Sequence, residues 1–434
     1  MNQSFKQEII KEYQLKFKKK QFVAGKDWVR VSGKVFDEQE FLIMTEAVMD
    51  GWWTEGRFAK ELEERLAKYV GVRFTSLVNS GSSANLLALL ALRSQLMGKR
   101  RLKEGDEVIT VAAGFPTTVN PIIQAGLVPV FVEIELKTGQ IQVDQLEKAR
   151  SSKTKAVMLA HTLGNPFDIK AVKRFCDRFG LWLVEDNCDA LGSEYQGKRT
   201  GSFGDVSTLS FYPAHQITTG EGGAVLTDNV LINKAVRSLR DWGRDCWCPT
   251  GKDNTCGKRY DWQFKKLPKG YDHKYVYSHL GYNLKMTDIQ AALGLAQLKK
   301  LNGFIAKRRQ NYEEIKDKLK QFEDKLVVFS ATLNSQPSWF GVGIVLKGES
   351  EGQREKLLRF LEGKKIATRL LFGGNLIKQP YFENYGVKYR QVGRLKNTDK
   401  VMKDAFWIGC YPGINKVMIK YVELCLKEFF RDEK

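Results

Sequence analysis

Residues 182–211, WLVEDNCDALGSEYQGKRTGSFGDVSTLSF, begin with an apolar run that ends in Glu185 and Asp186. In α/β folds, a carboxylate at the end of a buried strand can point into the cleft where ligands bind. An aspartate in this place can also simply close a turn. The surrounding sequence therefore has to decide between a binding site and a turn.

Short apolar, β-branched runs alternate with helical segments along this part of the chain. The runs are Glu107–Val111, Val128–Val132, 156–160 and 182–185. Segments of roughly 12 to 20 residues with helical composition separate them, which is typical of a parallel sheet wrapped by helices. The sequence thus predicts an α/β fold with a mostly parallel sheet.

The sequence predicts three parts of the chain. We expect a helical arm over residues 1–50, a large domain over 51–300 and a smaller C-terminal α/β domain over 301–434. The helical stretch 286–319 bridges the last two parts. We expect a break in it near Asn302 and Gly303, because glycine disfavours the helix interior.

Composition narrows the class of protein. The chain of 434 residues has a formal net charge of +20, but its Lys and Arg residues are scattered and match no nucleic-acid-binding motif. Its N-terminus is charged, and no run of about 18 apolar residues occurs. We therefore expect a cytoplasmic protein without membrane insertion and without nucleic acid as a partner.

A Gly-Ser-Ser turn precedes a helix-forming segment in residues 78–96, VNSGSSANLLALLALRSQL. Backbone N–H groups and the helix dipole at such a site favour a phosphate group. A serine-rich helix cap has the same residues, so this segment does not decide the question by itself.

Six motifs follow one another in an order that resembles the DegT/StrS-type family of nucleotide-sugar aminotransferases and dehydratases. They are GWWTEGRFAKELEERLAKYVGV, NSGSSANLLAL, GFPTTVNPIIQAGLVPVFVEI, VEDNCDALG, SFYPAHQITTGEGGAVLT and HLGYNLKMTDIQAALGLAQL. The resemblance runs from about residue 40 to 430. It implies a pyridoxal-phosphate-dependent transferase fold of type I, like aspartate aminotransferase, and a homodimer with the cofactor at the subunit interface.

The resemblance also assigns cofactor contacts by position. Asp186 is expected to pair with the pyridine nitrogen, which lets a pyridoxal-type cofactor act as an electron sink. Phe115 is expected to stack on the cofactor ring. The expected phosphate contacts are Ser82, Ser83 and Ser210, together with Asn283 from the neighbouring subunit.

Three positions depart from the family pattern. Asp189 replaces the usual glutamine, Lys285 replaces an arginine, and His215 replaces the lysine that carries the cofactor. Imidazole cannot form the lysine's covalent link, but its pKa of about 6.5 suits a general base.

This exchange changes the reaction that we expect. The resemblance implies pyridoxamine 5′-phosphate held without a covalent bond, and dehydration of a keto sugar in place of transamination. We expect His215 to be the base and Asp189 to be a second catalytic residue. Tyr212 can assist the leaving hydroxyl, although a packed tyrosine is an equal alternative.

Four cysteines have the spacing C-x57-C-x-C-x7-C, at Cys188, Cys246, Cys248 and Cys256. From the chemistry alone, a [2Fe–2S] cluster, a zinc ion and unligated thiols all remain open. The resemblance to iron–sulfur dehydrases of the family favours the [2Fe–2S] cluster. If the strand continues beyond Asp186, Cys188 projects to the same side, about 7 Å along it.

The resemblance implies C3 dehydration of CDP-4-keto-6-deoxy-D-glucose in 3,6-dideoxyhexose and O-antigen biosynthesis, with reduction through the cluster. Electrons are expected from an NADH-dependent iron–sulfur flavin reductase. The residues do not identify the nucleotide, for which Arg369, Arg390 and Arg394 are candidates. Two alternatives remain, namely a cluster-free GDP-4-keto-6-deoxymannose-type 3-dehydratase that uses glutamate and an inactive nucleotide-sugar-binding regulatory homologue.

Overall fold

The computed structural model describes residues 1–18, 20–264, 266–348 and 352–432. Within these residues the strands are β1 (Phe74–Val78), β2 (Glu107–Val111), β3 (Val128–Val132), β4 (Thr154–Ala160), β5 (Trp182–Asp186), β6 (Glu194–Tyr195), β7 (Lys198–Arg199), β8 (Val206–Ser210), β9 (Gly223–Thr227), β10 (Leu326–Val328), β11 (Ser335–Gln336), β12 (Gly341–Leu346), β13 (Arg369–Leu370), β14 (Arg390–Gln391) and β15 (Ala405–Gly409). The helices are α1 (Gln3–Lys16), α2 (Glu38–Met49), α3 (Arg57–Val70), α4 (Gly81–Leu92), α5 (Pro116–Gln124), α6 (Leu146–Ala149), α7 (Ile169–Phe179), α8 (Val230–Arg240), α9 (Asp288–Leu319), α10 (Gln353–Gly363), α11 (Pro380–Asn384), α12 (Lys396–Asp404) and α13 (Lys416–Asp432).

The central sheet has the strand order β1-β9-β8-β5-β4-β2-β3-β14. Neighbouring strands from β8 to β14 run parallel. Only the β9 pairings, with β8 and β1, are antiparallel in the sheet as described. The predicted mostly parallel sheet is therefore confirmed, and the four predicted apolar runs fall on β2, β3, β4 and β5.

Three neighbouring parallel strands end at one edge of this sheet, at Ala160, Asp186 and Ser210. β5 is buried along its whole length because strands lie on both sides of it and helices cover the sheet faces. Helices α4 and α5 begin at the same edge. This is the edge at which open α/β sheets bind ligands.

Helix α9 begins after the cap residue Thr287 and continues to Leu319 without interruption. The predicted break near Asn302 and Gly303 is therefore wrong. Gly303 is exposed, and a Cβ there would meet no other atom within 4 Å. Since nothing crowds this turn, the cost of one glycine is too small to end a long, packed helix.

A second sheet, β10-β12-β15-β13, is antiparallel and has its own hydrophobic core. α9 contributes to this core through Tyr312, whose ring stacks on Trp339 at a centroid distance of 3.7 Å. The boundary at residue 300 stays a prediction, since α9 passes through it and β14 pairs with β3 of the central sheet.

The predicted N-terminal arm, residues 1–50, contains two helices with different surroundings, and its bounds stay a prediction. α1 has no buried residue, but Val29 is 5% exposed and pairs with Ile366 beside the second sheet. α2 packs against α9, where Gln297 donates a hydrogen bond to Glu40 at 2.7 Å. Among the described helices, none has the length and apolar character needed to cross a bilayer.

Candidate active site

A cleft of about 1360 Å³ opens at the carboxyl edge of the central sheet. Strand ends and the first turns of α4 and α5 form one side of it, and residues of the second sheet form the other. Its lining includes Ser80, Gly81, Ser82, Asn85, Phe115, Thr118, Asp186, Cys188, Asp189, Ser210, Tyr212, His215, Glu221, Phe340, Arg369, Phe372, Gln379, Tyr381, Tyr385 and Trp407. The cleft thus lies between the two sheets.

Asp186, the last residue of β5, lies in this cleft with three donors around its carboxylate. Asn85 Nδ2 donates to Oδ2 at 2.8 Å, and Thr118 Oγ1 donates to the same oxygen at 2.6 Å. The backbone N–H of Cys188 donates to Oδ1 at 3.2 Å. These bonds fix the carboxylate's orientation, which suits the predicted pairing with a pyridine nitrogen.

Helix α4 begins beside this carboxylate with Ser80 as its cap residue. Ser80 Oγ accepts a hydrogen bond from the Ser83 backbone N–H at 3.1 Å. Ser82 lines the cleft and donates to Thr117 Oγ1 at 3.2 Å. The first turn of α4 thus presents N–H groups and a hydroxyl where a phosphate could bind.

Gly81 allows α4 to approach the end of β8 closely. A Cβ at Gly81 would lie 2.5 Å from Ser210 Cβ and 3.0 Å from Cys188 Sγ, so any larger residue would push the helix away. Of the predicted phosphate contacts, Ser82 and Ser210 line the cleft, whereas Ser83 faces Ser80 and is absent from the lining. Their roles stay predictions.

Two aromatic side chains face the space above the carboxylate. Phe115 is 51% exposed and contacts Phe372 edge-on at a centroid distance of 5.8 Å. Tyr212 is 52% exposed, with its ring 6.4 Å from the imidazole of His215. Since both residues line the cleft and keep exposed surface, they are available to a bound molecule.

His215 lies after β8, with its Nδ1 3.5 Å from Oδ1 of Asp189. Nδ1 is buried and has no hydrogen-bond partner, so the two groups approach each other without forming a hydrogen bond. Phe340 packs on the imidazole at a centroid distance of 5.1 Å. The structure therefore brings together the two residues that the sequence singled out as catalytic.

Burial governs the ionisation of both groups. Loss of water, with the charge of Arg308 as a second cause, lowers the pKa of His215 to about 3. Loss of water and the neighbouring Asp186 raise the pKa of Asp189 to about 7. The imidazole is therefore neutral, but its pKa lies well below the near-neutral value that the sequence led us to expect for a general base. Proton acceptance by His215 then depends on an ionised Asp189 nearby to stabilise the imidazolium.

The charged residues that line the cleft, within the part of the chain described, are Asp186, Asp189, Glu221 and Arg369. Lysine is absent from this set. A cofactor in the cleft would therefore be held by polar contacts and not by a covalent bond to a lysine. The residues present fit a pyridoxal-type cofactor bound in this way.

Asn283 and Lys285 lie outside the cleft. Asn283 is exposed and pairs with Asp241 in an isolated bridge, and Lys285 forms an ion pair with the same aspartate. The ammonium group of Lys285 also lies 3.8 Å from the ring centroid of Trp242. A contact from Asn283 to a cofactor would thus need the cleft of another subunit and stays a prediction.

Three of the four predicted metal-binding cysteines share one loop. The thiols of Cys246 and Cys248 lie close enough to influence each other's ionisation. Burial raises the pKa of Cys246; it acts the same way on Cys248, but hydrogen bonds from Thr255 outweigh it and lower the pKa of that thiol. Cys256 Sγ lies 3.4 Å from Nε2 of His273.

Cys188 lines the cleft, unlike these three cysteines. β5 ends at Asp186, so the strand does not continue to Cys188 and the condition for their alignment along it is not met. A turn nevertheless brings the two residues together. Burial and Asp186 raise the pKa of the Cys188 thiol well above its usual value.

The arrangement of the cysteines does not form a metal site in this structure. Among the described residues, no group of three or more His, Cys, Asp and Glu side chains could hold a metal ion. The thiols are all unpaired. Thiols are suitable ligands for iron or zinc. In this structure, however, the four cysteine thiols do not surround a common centre.

The three candidate arginines have different surroundings. Arg369 on β13 lines the cleft and donates to the Thr368 carbonyl oxygen at 2.8 Å. Arg390 instead holds Glu107 through two hydrogen bonds of 3.0 and 2.9 Å. Arg394 is exposed and is not a lining residue. Arg369 is therefore the candidate best placed to meet an anion in the cleft.

The sequence did not lead us to the residues that hold Asp186 and His215 in place through hydrogen bonds. Asn85 and Thr118, which hold Asp186, lie inside two of the quoted motifs, so their polar side chains among apolar neighbours were an available signal. Arg308, which donates to the His215 carbonyl oxygen at 3.0 Å, lies in the charged half of α9. Its spacing of three and four residues from Ile305 and Tyr312 places it on the buried face of α9, which was an available signal.

Comparison with known proteins gives consistent results. The model of the DegT/DnrJ/EryC1/StrS aminotransferase family matches residues 35–427. Lipopolysaccharide biosynthesis protein RfbH of Salmonella typhimurium is 54% identical over 411 residues, covering 95% of this chain and 94% of that protein. The dTDP-4-dehydro-2,6-dideoxy-D-glucose 3-dehydratase of Saccharopolyspora spinosa is 49% identical over 420 residues, covering 97% and 90%.

A solved structure supports the fold. GDP-4-keto-6-deoxy-D-mannose-3-dehydratase of E. coli, with bound hydrated pyridoxal phosphate, superimposes with a TM-score of 0.82. The two chains are 29% identical, and the match covers 92% of this chain and 99% of the other.

Proposed function

The chain belongs to the DegT/DnrJ/EryC1/StrS aminotransferase family, and we propose that it is a pyridoxamine-phosphate-dependent 3-dehydratase of a nucleotide-linked 4-keto-6-deoxyhexose. The predicted family and the aminotransferase-like fold are confirmed. The chain is an enzyme that uses a pyridoxal-type cofactor, as its relatives indicate. The form of the cofactor and the identity of the sugar are the proposal.

One observation carries this proposal. The cleft holds an uncharged imidazole, that of His215, and no lysine among its described lining residues. An aminotransferase needs a lysine to bind the cofactor and to move protons. A histidine can move protons but cannot bind the cofactor covalently. The site therefore suits removal of a proton from a non-covalently held cofactor.

Bound pyridoxamine phosphate supplies an amine for the sugar ketone and a ring that accepts electron density. In the proposed arrangement, Asp186 holds the pyridine nitrogen and Phe115 covers the ring. The first turn of α4 and Ser210 hold the phosphate group. All of these residues line one cleft.

His215 then takes a proton from the bound molecule. Its side chain is neutral at physiological pH because burial lowers its pKa, and Asp189 lies 3.5 Å away to stabilise the imidazolium that forms. We assign proton donation to the departing hydroxyl to Tyr212, which is half exposed and has its ring 6.4 Å from the imidazole. Phe340 shields the imidazole from water.

The substrate that we propose is CDP-4-keto-6-deoxy-D-glucose, for lipopolysaccharide O-antigen assembly through 3,6-dideoxyhexoses. Two relatives are named for lipopolysaccharide biosynthesis and for 3-dehydration of a nucleotide-linked deoxysugar. The CDP group rests on the family resemblance alone, because the residues do not identify the nucleotide. Arg369 is the cationic side chain available to its phosphates among the described lining residues.

A [2Fe–2S] cluster on the four cysteines and an NADH-dependent iron–sulfur flavin reductase remain predictions from the sequence. They are supported by four unpaired thiols, one of them in the cleft. Analysis of iron and sulfide in the purified protein tests them. A colourless protein that holds stoichiometric zinc would contradict the cluster.

We also propose that the protein is a cytoplasmic homodimer. The homodimer is supported by the exposed position of Asn283, which does not line the cleft of its own subunit. Sedimentation analysis of the holoenzyme, with an Asn283→Asp variant that should lose cofactor affinity in the dimer, tests this part.

The experiment that tests the function combines the protein, pyridoxamine phosphate, CDP-4-keto-6-deoxyglucose, NADH and an iron–sulfur flavin reductase, because the reduction needs two electrons. Mass spectrometry should detect a sugar product that has lost the C3 oxygen, and borohydride should trap no lysine adduct. Turnover with the GDP-linked mannose analogue and glutamate alone would instead support the cluster-free dehydratase. Tight substrate binding without any chemical change would support the regulatory homologue.

A further inference from the structure

Arg308 is a buried cation of unusual surroundings in α9. It is 1% exposed, and its hydrogen-bond acceptors among the described residues are carbonyl oxygens of the main chain, with no carboxylate in ion-pair range. By contrast Arg240, which is 3% exposed, pairs with Glu55 and Glu63. A guanidinium without a carboxylate partner is costly to bury, so its position calls for a specific reason.

The guanidinium joins two separate segments. Nη2 donates to the carbonyl oxygens of His215 at 3.0 Å and Ala214 at 3.4 Å. Nη1 donates to the carbonyl oxygens of Trp339 at 3.1 Å and Phe340 at 3.3 Å. The first pair belongs to the segment that carries the imidazole, and the second pair leads into β12 of the second sheet.

We propose that Arg308 is a positioning residue for His215, which it holds through the main chain against the wall of the cleft formed by Phe340. This inference rests on the proposed role of His215 as the base. The planar guanidinium suits this task because its two ends bind in fixed directions, whereas an ammonium group has no such geometry. Loss of this connection leaves the imidazole less well placed.

Gln216 provides a second connection between the same segments. Its Nε2 donates to the Ser338 carbonyl oxygen at 2.9 Å and also to the carbonyl oxygen of Asp189. The main chain around His215 is therefore tied to the entry of β12 from two sides. The same amide also ties it to the loop of Asp189. Three segments that are distant in sequence therefore hold the side chains of His215 and Asp189 near each other.

The charge of Arg308 also affects the pKa of His215. After burial, it is the second cause that lowers the pKa of His215. The groups that face His215 and Arg308 together are Asp189, Tyr212, Cys410 and Tyr411. The cation therefore helps to keep the imidazole neutral while it holds the main chain.

The test compares three variants of the holoenzyme. Arg308→Gln removes the charge and the planar fork, and Arg308→Lys keeps the charge and N–H donors but not the fork. Arg309→Gln is the matched control, because Arg309 is the next residue of α9 and also donates to main-chain carbonyls, those of Pro337 at 3.0 Å and Gln336 at 2.9 Å, but not to the segment of His215.

We expect kcat to fall about 10- to 100-fold in Arg308→Gln, with the substrate KM and cofactor affinity near those of the wild type. Arg308→Lys should recover part of the loss, and Arg309→Gln should leave kcat within about 2-fold. The imidazole signal of His215 in histidine-labelled protein gives a readout that does not depend on turnover. It is one of four histidines, so assignment by single variants is practical.

In both Arg308 variants the His215 signal should shift or broaden, and in Arg309→Gln it should stay unchanged. Equal kcat and an unchanged His215 signal in Arg308→Lys would overturn the proposal, even if Arg308→Gln fails to fold. The His215 signal could shift in the Arg308 variants while the wild-type protein shows no dehydratase activity. That result would support the positioning role of Arg308 and contradict the proposed function.

Discussion

Nδ1 of His215 and Oδ1 of Asp189 lie 3.5 Å apart in a buried part of the cleft, with no hydrogen bond formed between them. Both groups favour their uncharged forms there, since burial lowers the pKa of the first and raises the pKa of the second. Once the imidazole accepts a proton, an ionised Asp189 is close enough to stabilise the cation. The pair is therefore arranged to accept a proton and return it.

Replacement of His215 by Asn should abolish most of the dehydration. We expect kcat to fall by about 10²- to 10⁴-fold, because a positioned general base contributes on this scale. The cofactor should still bind, since Asp186, Ser82 and Ser210 are untouched. Steady-state kinetics and cofactor titration measure the two effects, and a Tyr212→Phe variant with a smaller loss serves as comparison.

Replacement of Asp189 by Asn should stabilise the protein at high pH. The pKa of Asp189 in the folded protein, about 7, lies above its usual value, so the folded state gains stability as pH falls towards 4 and loses it as pH rises through 7. At pH 8 the variant should unfold at a higher temperature than the wild type, and at pH 4 the difference should nearly vanish. The upper limit of the effect is about 4 kcal/mol.

The asparagine retains an acceptor for the Leu163 backbone N–H, which donates to Asp189 at 3.2 Å. A stability difference that is the same at both pH values would therefore contradict the raised pKa. Thermal unfolding followed by circular dichroism at pH 4 and pH 8 makes this comparison.

The large-domain fold followed from the sequence because burial on both faces gives parallel strands a recognisable composition. β2, β3 and β5 appear in the sequence as short, largely apolar runs. The uninterrupted course of α9 did not follow, because it depends on packing partners such as Glu40 and Tyr411, far from the glycine in sequence. Local propensity is the weaker effect there.

The site was predictable to the extent that its residues lie in motifs. Asp186, Phe115 and His215 lie in quoted motifs, and they meet in one cleft. The hydrogen-bond partners of Arg308 were not predictable, because they are carbonyl oxygens, which every residue has. The alignment of Cys188 with Asp186 was argued from strand geometry, but the chain turns at the end of β5.

Removal of the Thr118 hydroxyl should weaken the cofactor's binding. Thr118→Val keeps the shape but deletes the 2.6 Å hydrogen bond to Asp186 Oδ2, so the carboxylate is held less firmly. We expect the cofactor Kd to rise about 5- to 10-fold. Thr110→Val is the matched control, because Thr110 is buried and its hydroxyl has no hydrogen-bond partner. Equal affinity in both variants would contradict the role of this contact.

Replacement of Arg369 by Ala should weaken binding of the nucleotide sugar but not of the cofactor. A charge-assisted contact to a phosphate group is expected to account for about 10- to 100-fold in KM. Arg394→Ala is the comparison, since that side chain is exposed and outside the cleft lining. Kinetics with varied substrate measure both. A KM unchanged in Arg369→Ala would assign the phosphates to other residues.

The most direct test of the central claim is exchange of the cofactor's C4′ protons with solvent. Holoenzyme with pyridoxamine phosphate and the CDP-linked keto sugar is placed in D₂O, and the recovered cofactor is examined by mass spectrometry. We predict that one deuterium enters at C4′ with the wild-type protein and that the Asn variant at His215 shows none. Equal exchange in both proteins, or an amino group found on the sugar, would contradict the assignment of His215 as the base of a dehydratase.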